Sequence, residues 1–509
     1  MRIAVCVKHV PVLHALRFDP TTRRLAREGV PGEVSAFDLR ALGAALALRT
    51  AHGGEVVAVT MGPPGARDGL LECLALGADR AVHVADRLLA GSDTLATARA
   101  LAAALAREGV DLALFGRAST DAETGQVGPE VAEFLGWPQV TAARTLAVDP
   151  AARTFTAERE TDDGFETVTG PLPAVITAAE DLAEERFPTK AERQAAAAKP
   201  IATASVADLG LAPGDVGSAG SPTWVAAVEE VAIARRGEVL AGDAPAALAA
   251  ALAARLRVLV PLAADADDRP TLPTRAVTGG APIWVVAEVG RHGLRSVTAE
   301  LLGKAAALAA RLGGPVEAVV LGAGGEYAAA LAAAGADRVF VATDATLEPY
   351  TTDAHAGVLA DAIRARGPRC VLLGSTARGR DLAPRVAARL GLGLTGDAID
   401  LDVDADGAVR QHKPAFGGVI VAPILSRTRP EMATVRPGLL RAARPEPGRP
   451  VVVEALPVRP VPARVRVVGH QALTDSTAEQ LDAAAHAIGV GPGMGGSGAL
   501  PALAACAAR

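Results

Sequence analysis

The chain has 509 residues, with 51 Lys and Arg against 57 Asp and Glu and a net charge of -6, which leaves room for roughly two to four domains. The weak negative charge carries no basic block, which excludes a phosphate-tracking nucleic-acid surface. Aromatic residues are few (nine Phe, three Trp and two Tyr), so the core must be built from Ala, Val and Leu.

Taken in chain order, short Val/Ile/Ala runs alternate with longer Ala/Leu/Arg runs of helical period, which predicts β-α-β units around a mainly parallel sheet. Strands are expected over 3–7, 55–60, 81–84 and 112–115. Helices are expected over 37–50, 66–76 and 93–108, and a further one starts at Pro129, which suits a first helical turn. Weaker strand and helix patterns follow at 228–233 and 244–256. A polar, Pro-bearing stretch over 263–280 reads as a linker. A Pro/Arg-rich stretch over 441–462 reads as a connector. The last residues, 463–509, hold one strand, one helix pattern and a glycine cluster, too little for another well-cored domain.

An internal repeat sets the architecture. Gly77-Ala78-Asp79-Arg80 recurs as Gly335-Ala336-Asp337-Arg338, an offset of 258, and Gly116 matches Gly374 at the same offset. After a three-residue deletion, Gly128-Pro129-Glu130-Val131-Ala132 aligns with Ala383-Pro384-Arg385-Val386-Ala387. Three matches in one order imply two related α/β domains in tandem, each a parallel-sheet, Rossmann-like nucleotide fold.

In such sheets ligands bind at the carboxyl ends of the strands, where helix N-termini present backbone N–H groups. The loop of Gly116, Arg117, Ala118, Ser119, Thr120, Asp121, Ala122, Glu123, Thr124, Gly125, Gln126 and Val127 combines glycines, hydroxyls and an amide just before a helix. It reads either as a phosphate loop or as a long solvated connection. Its counterpart, Ser375 to Leu382, is shorter and carries Arg378 and Arg380, whose side chains either reach an anion or pair with Asp381 and nearby carboxylates. The glycines of 489–496 resemble half of a dinucleotide turn, but no β-α-β unit follows, and a flexible tail is the alternative.

Other chemistries find little support. Cys6, Cys73, Cys370 and Cys506 are widely spaced in apolar contexts and read as small core residues. His9 and His14 read as loop side chains, with no two histidines at metal-ligand spacing. There is no G-x-S-x-G, Walker loop or Cys/His pair, so no catalytic acid, base or nucleophile is assigned. The N-terminus lacks a signal-peptide core and no long apolar run is present, which predicts a cytoplasmic protein.

At the level of whole motifs the chain resembles the electron transfer flavoproteins, with a β-subunit-like half fused to an α-subunit-like half. The β-type motifs are Val5-Cys6-Val7-Lys8-His9-Val10-Pro11, Phe37-Asp38-Leu39, Gly77-Ala78-Asp79-Arg80, the 121–129 loop, Gly136-Trp137-Pro138-Gln139 and Leu172-Pro173-Ala174-Val175. The α-type motifs are Ala287-Glu288, Gly379-Arg380-Asp381-Leu382-Ala383-Pro384-Arg385, Pro414-Ala415-Phe416-Gly417-Gly418 and Met432-Ala433-Thr434-Val435-Arg436-Pro437-Gly438. The resemblance covers residues 1 to about 440. It implies a β-like domain over 1–262, the linker 263–280, an α-like N-terminal domain over 281–440, the connector 441–462, and over 463–509 the truncated start of a FAD-binding domain.

The resemblance also implies function: an electron carrier, not a classical enzyme. It takes electrons from flavin dehydrogenases of the acyl-CoA type used in fatty acid oxidation and delivers them to a membrane quinone oxidoreductase or other acceptor. The β-like half is implied to hold FAD or AMP. The nucleotide-contacting positions carried over are Cys6, Ser35, Ala36, Phe37, Asp38, Met61 and the whole loop from Gly116 to Val127. The Gln-Val-Gly-Pro form of that loop looks more like bifurcating-type β subunits. The family's α-type flavin motifs (Ser-Arg, Gln-Val-Gly-Gln-Thr-Gly and Gly-Ile-Ser-Gly-Ala) do not occur, which leaves three alternatives: a separate chain supplies that FAD domain, the single remaining flavin suffices without it, or the sequence is a fragment. In the family's partner-recognition segment, here 186–192, Lys190 stands where an apolar anchor would enter a dehydrogenase pocket, which implies an unusual partner. The alternative function is a nucleotide-binding scaffold holding AMP or ATP, or a degenerate flavoprotein without its own redox flavin.

Overall fold

A computed structural model describes residues 1–472 except 13–14, 16, 20–23, 27–29, 231–236, 241–243, 260–268, 323 and 460, together with 489 and 491. The β-branched runs form strands buried on both faces, and the Ala-rich runs form helices that cover them, small side chains letting helix and sheet approach closely. In the first half the parallel strands lie in the order Ile201–Ala204, Arg80–Val84, Glu55–Met61, Arg2–Cys6, Leu112–Gly116, Ala174–Ala178, Gln139–Asp149. In the second half the order is Val452–Ala455, Arg338–Ala342, Val316–Leu321, Ile283–Ala287, Cys370–Gly374, Glu431–Val435, Leu394–Ala398. These are the same sheet built twice, as the repeat in the sequence predicts.

The repeat extends to individual caps. Asp79 accepts a hydrogen bond from Val56 N at 2.7 Å, and Asp337 accepts one from Val316 N at 2.9 Å. In each copy the preceding glycine sits at positive φ, 131° at Gly77 and 122° at Gly335, where a side chain would be strained. Asp86 and Asp344 cap equivalent short 3-10 turns by accepting from Leu88 N and Thr346 N. Gly-Ala-Asp is therefore a helix stop followed by a carboxylate that fixes the next strand to its neighbour.

The halves exchange strands. From the first half, Thr223–Val225 and Glu229–Glu230 pair antiparallel with Ile420–Ser426 of the second. From the other end of the chain, Arg466–Ala472 lies beside Gly164–Pro171 of the first sheet. The stretch 441–462, read from composition as a connector, supplies the edge strand Val452–Ala455. Residues 269–280 run without helix or strand, yet they are anchored, since Arg275 Nη2 donates to Asp337 Oδ1 at 2.7 Å and to Gly335 O at 2.8 Å. The expected helix over 244–256 forms as Pro245–Leu259. Of the strand expected at 228–233, Glu229–Glu230 is seen, Val228 is not in a strand and 231–233 lie outside the described residues, as do His14, Cys506, the expected C-terminal helix and all of the glycine cluster but Gly489 and Gly491. Cys6, Cys73 and Cys370 are buried and free of disulfides.

Buried polar groups join the halves. Asp381, beside the start of the helix Ala377–Leu390, accepts from Gln139 Nε2 (2.9 Å) and Thr141 Oγ1 (2.8 Å) of the first half, and from Tyr350 OH (2.6 Å) and Thr352 Oγ1 of its own. Arg385, 1% exposed, reaches Glu133 at 2.6 Å and Trp137 O at 3.0 Å. Removing Asp381 strands several buried donors at once. Asp381→Ala is therefore expected to lower stability by about 3 kcal/mol, read as a shift of the urea midpoint.

Candidate functional site

At the carboxyl edge of the first sheet, the strand Arg2–Cys6 and the strand Leu112–Gly116 end side by side. The helix Ala36–His52 starts next to them. Asp38, in its first turn, is 6% exposed and fastens all three: Oδ1 accepts from Gly116 N at 2.9 Å and Oδ2 from Lys8 N at 2.8 Å. Burial pushes its carboxyl up to about 7, against the two backbone donors and the Lys8 charge, which pull it down. Gly116 has no alternative here, because a Cβ would lie 2.5 Å from Asp38 Oδ1 and 2.7 Å from Phe37 Cβ.

The other sequence-predicted residues gather around this point. Ser35 is fully buried and its hydroxyl accepts from Thr120 N at 3.3 Å. Cys6 is buried at the strand end, its thiol pushed up by burial and by the neighbouring Asp38. Ala36, Phe37 and Met61 are half-buried. The Arg117 guanidinium sits 4.5 Å from the centre of the Phe37 ring. Lys8 Nζ holds Asp121 at 2.8 Å; burial raises that carboxyl, but Lys8 together with the Ser119 hydroxyl and Ala122 N keeps it below the ordinary range.

Beyond Asp121 the loop is a tight backbone wrap. Glu123 N donates to Ser119 O at 2.9 Å, and Glu123 and Gly125 both adopt positive φ, 51° and 64°. Gln126 is 2% exposed; its Oε1 accepts from Thr94 Oγ1 at 2.7 Å and its Nε2 has no partner in the protein. The helix begins two residues earlier than Pro129, as Val127–Leu135, and places Pro129 in its first turn. Glu130 on this helix is 1% exposed, and burial, reinforced by Asp93, pushes its carboxyl well up.

Backbone N–H groups ahead of a helix N-terminus and a buried amide without a partner in the protein suit a phosphate-bearing group such as an adenine nucleotide. Of the residues carried over from the sequence, Cys6, Ser35, Asp38, Gly116 and Thr120 meet at these strand ends. Reading the sequence missed Thr94, whose hydroxyl reaches both Gln126 Oε1 and, one turn further along the same helix, Glu130 Oε1. It also missed the second half's contribution: Phe416 N donates to Asp121 O at 2.8 Å and Arg380 Nη1 reaches Glu123 O at 3.5 Å.

The equivalent edge of the second half is built differently. Two residues, Ser375 and Thr376, separate the strand from the helix Ala377–Leu390, against ten in the first half. Asp162, from a hairpin turn of the first half, accepts from Ala377 N at 2.9 Å and Arg378 N at 3.3 Å, so that helix N-terminus is already capped by an internal carboxylate. Arg380 pairs with Asp397 at 2.8 Å and Arg378 lies 5.1 Å from the centre of the Tyr350 ring. Both arginines are engaged within the protein, and the carboxylate that takes Arg380 is Asp397, not Asp381.

Among the described residues there is no group of three or more His, Cys, Asp or Glu side chains arranged to hold a metal ion, and no helix long and apolar enough to cross a membrane. Residues 22–209 and 283–461 match the family model described as electron transfer flavoprotein domain. The chain belongs to the electron transfer flavoprotein family, as a β-subunit-like half followed by an α-subunit-like half, and its role is electron transfer. A FixA protein of Azorhizobium caulinodans is 43% identical over 232 residues, covering 44% of this chain and 83% of its own length. An electron transfer flavoprotein subunit beta of Clostridium acetobutylicum is 38% identical over 251 residues, 49% of this chain and 95% of its own. A caffeyl-CoA reductase-Etf complex subunit CarD of Acetobacterium woodii is 36% identical over 259 residues, 50% of this chain and 98% of its own.

The raised Asp38 carboxyl makes a pH prediction. Between the ordinary carboxylate value and about 7 the folded chain holds a proton that the unfolded chain releases, so this group's contribution to stability is full at acid pH and is lost as pH rises through that window. Asp38→Asn removes the titration and is expected to flatten that part of the profile, measured by urea unfolding at pH 4 to 8.

Proposed function

We propose that the first half binds an adenine nucleotide, FAD or AMP, in the crevice formed by the ends of Arg2–Cys6 and Leu112–Gly116 and by the loop up to Val127. The observation that carries this reading is the loop itself, wrapped ahead of a helix N-terminus and stapled to the strand ends by Asp38. Bound FAD would supply reversible electron uptake, while the chain binds it, orients it and sets the polarity around it. Asp38, buried and with its carboxyl near neutrality, would place a proton-bearing group under the nucleotide loop. The division of the chain follows the repeat, with a β-like domain over 1–262 and an α-like domain over 281–440.

Electrons would come from a flavin dehydrogenase, of the acyl-CoA or a related type, and pass to a quinone oxidoreductase or another acceptor. The segment 186–192 supports docking. Phe187 is 69% exposed, and it stands beside a rigid helix start in which Thr189 and Glu192 cap one another and Arg186 pairs with Glu192 at 2.7 Å. Lys190 opens the helix Lys190–Ala196 at the surface, where its charge stays solvated; a partner with an acidic rim would suit it.

Nucleotide extraction from the purified full-length chain, followed by mass spectrometry, tests the reading. FAD supports the carrier, AMP or ATP alone favours a nucleotide-binding scaffold, and an empty extract together with no uptake of FAD or AMP on titration would falsify nucleotide binding. Gly116→Val is expected to weaken nucleotide binding at least about tenfold through the clash with Asp38, read by calorimetric titration. Phe187→Ala is expected to slow reduction by the partner dehydrogenase while leaving nucleotide affinity unchanged.

A further inference from the structure

The loop that the first half uses as its candidate site is held from both sides, and one side belongs to the second half. Asp397 is 1% exposed, sits at φ 60°, and gathers two arginines: Arg380 Nη2 at 2.8 Å, and Arg436 through Nε at 3.1 Å and also through Nη2. A residue at positive φ with a buried carboxylate is costly unless its surroundings fix it. Here both arginines point onward. Arg380 Nη1 reaches Glu123 O at 3.5 Å, and Arg436 Nη2 lies 3.8 Å from Glu123 Oε2. Glu123 is itself at positive φ, in the middle of the loop. Two residues before it, Asp121 O accepts from Phe416 N, and Phe416 also has positive φ. Three residues after it, Gln126 Nε2 lies against Gly396, where a Cβ would come within 2.6 Å.

The loop therefore meets backbone and charge from the second half at Asp121, Glu123 and Gln126, while Lys8 holds Asp121 from the first. We infer that Arg380 and Arg436, assembled on Asp397, are positioning residues that clamp Glu123 and so set the binding-competent form of the 119–126 loop, making ligand affinity in the first half depend on the second. This rests on the nucleotide reading above for its ligand, but the clamp itself is a property of the ligand-free chain.

Three variants of the full-length chain test it: Glu123→Gln, Arg436→Gln and the two combined. Glu123→Gln leaves the Asp397 pairs intact, so it keeps the test open even if Arg436→Gln folds poorly. In the ligand-free chain, hydrogen exchange in residues 117–126 is expected to quicken in both single variants. In AMP and FAD titrations each single variant is expected to bind about tenfold more weakly, and the double variant no more weakly than the worse single one, because both remove the same contact. An Arg436 that merely stabilises the second half would give additive losses and leave Glu123→Gln unaffected. Additive losses, or exchange in 117–126 unchanged in Glu123→Gln, would overturn the inference. If the unaltered chain binds neither AMP nor FAD, the nucleotide reading falls, and the exchange rates still decide the clamp.

Discussion

A parallel strand that ends before a helix leaves backbone N–H groups without partners, and the fold must supply an acceptor for them. Asp38 is that acceptor in the first half. By taking Gly116 N on one oxygen and Lys8 N on the other, it fixes the distance between two strand ends and the start of a helix. Ser35, Phe37 and the loop beyond Gly116 then have only one place to go. Burial, which pushes this carboxyl up to about 7, also strengthens the two bonds it accepts.

The two copies show how one scaffold reaches two outcomes. Their strand order, their Gly-Ala-Asp stops and their 3-10 caps coincide. Both even place a buried carboxylate beside the strand-ending glycine: Asp38 at Gly116, and Glu288 at Gly374, each pushed by burial up to about 7. They part at the link that follows. Ten residues in the first half form a backbone wrap, whereas two in the second lead straight into a helix whose first N–H groups are taken by Asp162. The hairpin carrying Asp162 belongs to the first half, so each half conditions the edge of the other.

The exchanged strands and the buried interface make this mutual dependence structural. Asp381 collects donors from both halves, and Arg385 crosses to Glu133 and Trp137. A charge buried at such a junction contributes less to net stability than to register, because any misalignment leaves it unpaired. The close approach of Gly396 to Gln126 and the bond from Phe416 N to Asp121 need that register to be right.

The strands and helices up to Gly116, the repeat and the family motifs were legible in the sequence because each rests on a short run of residues, whereas the hairpin of Thr154–Thr161 and Gly164–Pro171 was not. The Asp38 staple was half legible, since Phe37-Asp38-Leu39 is a motif but its partners, Lys8 and Gly116, lie 30 and 78 residues away. What the tertiary structure alone decided is the rest of the site. Arg380 meets Glu123 across 257 residues, Asp162 meets Ala377 across 215, and Gln139 meets Asp381 across 242. No spacing rule spans such separations, because they are set by how two sheets dock and not by the geometry of one helix or strand. The sequence determined two nucleotide-fold halves and the loop between strand and helix; the docking of those halves decided what holds that loop.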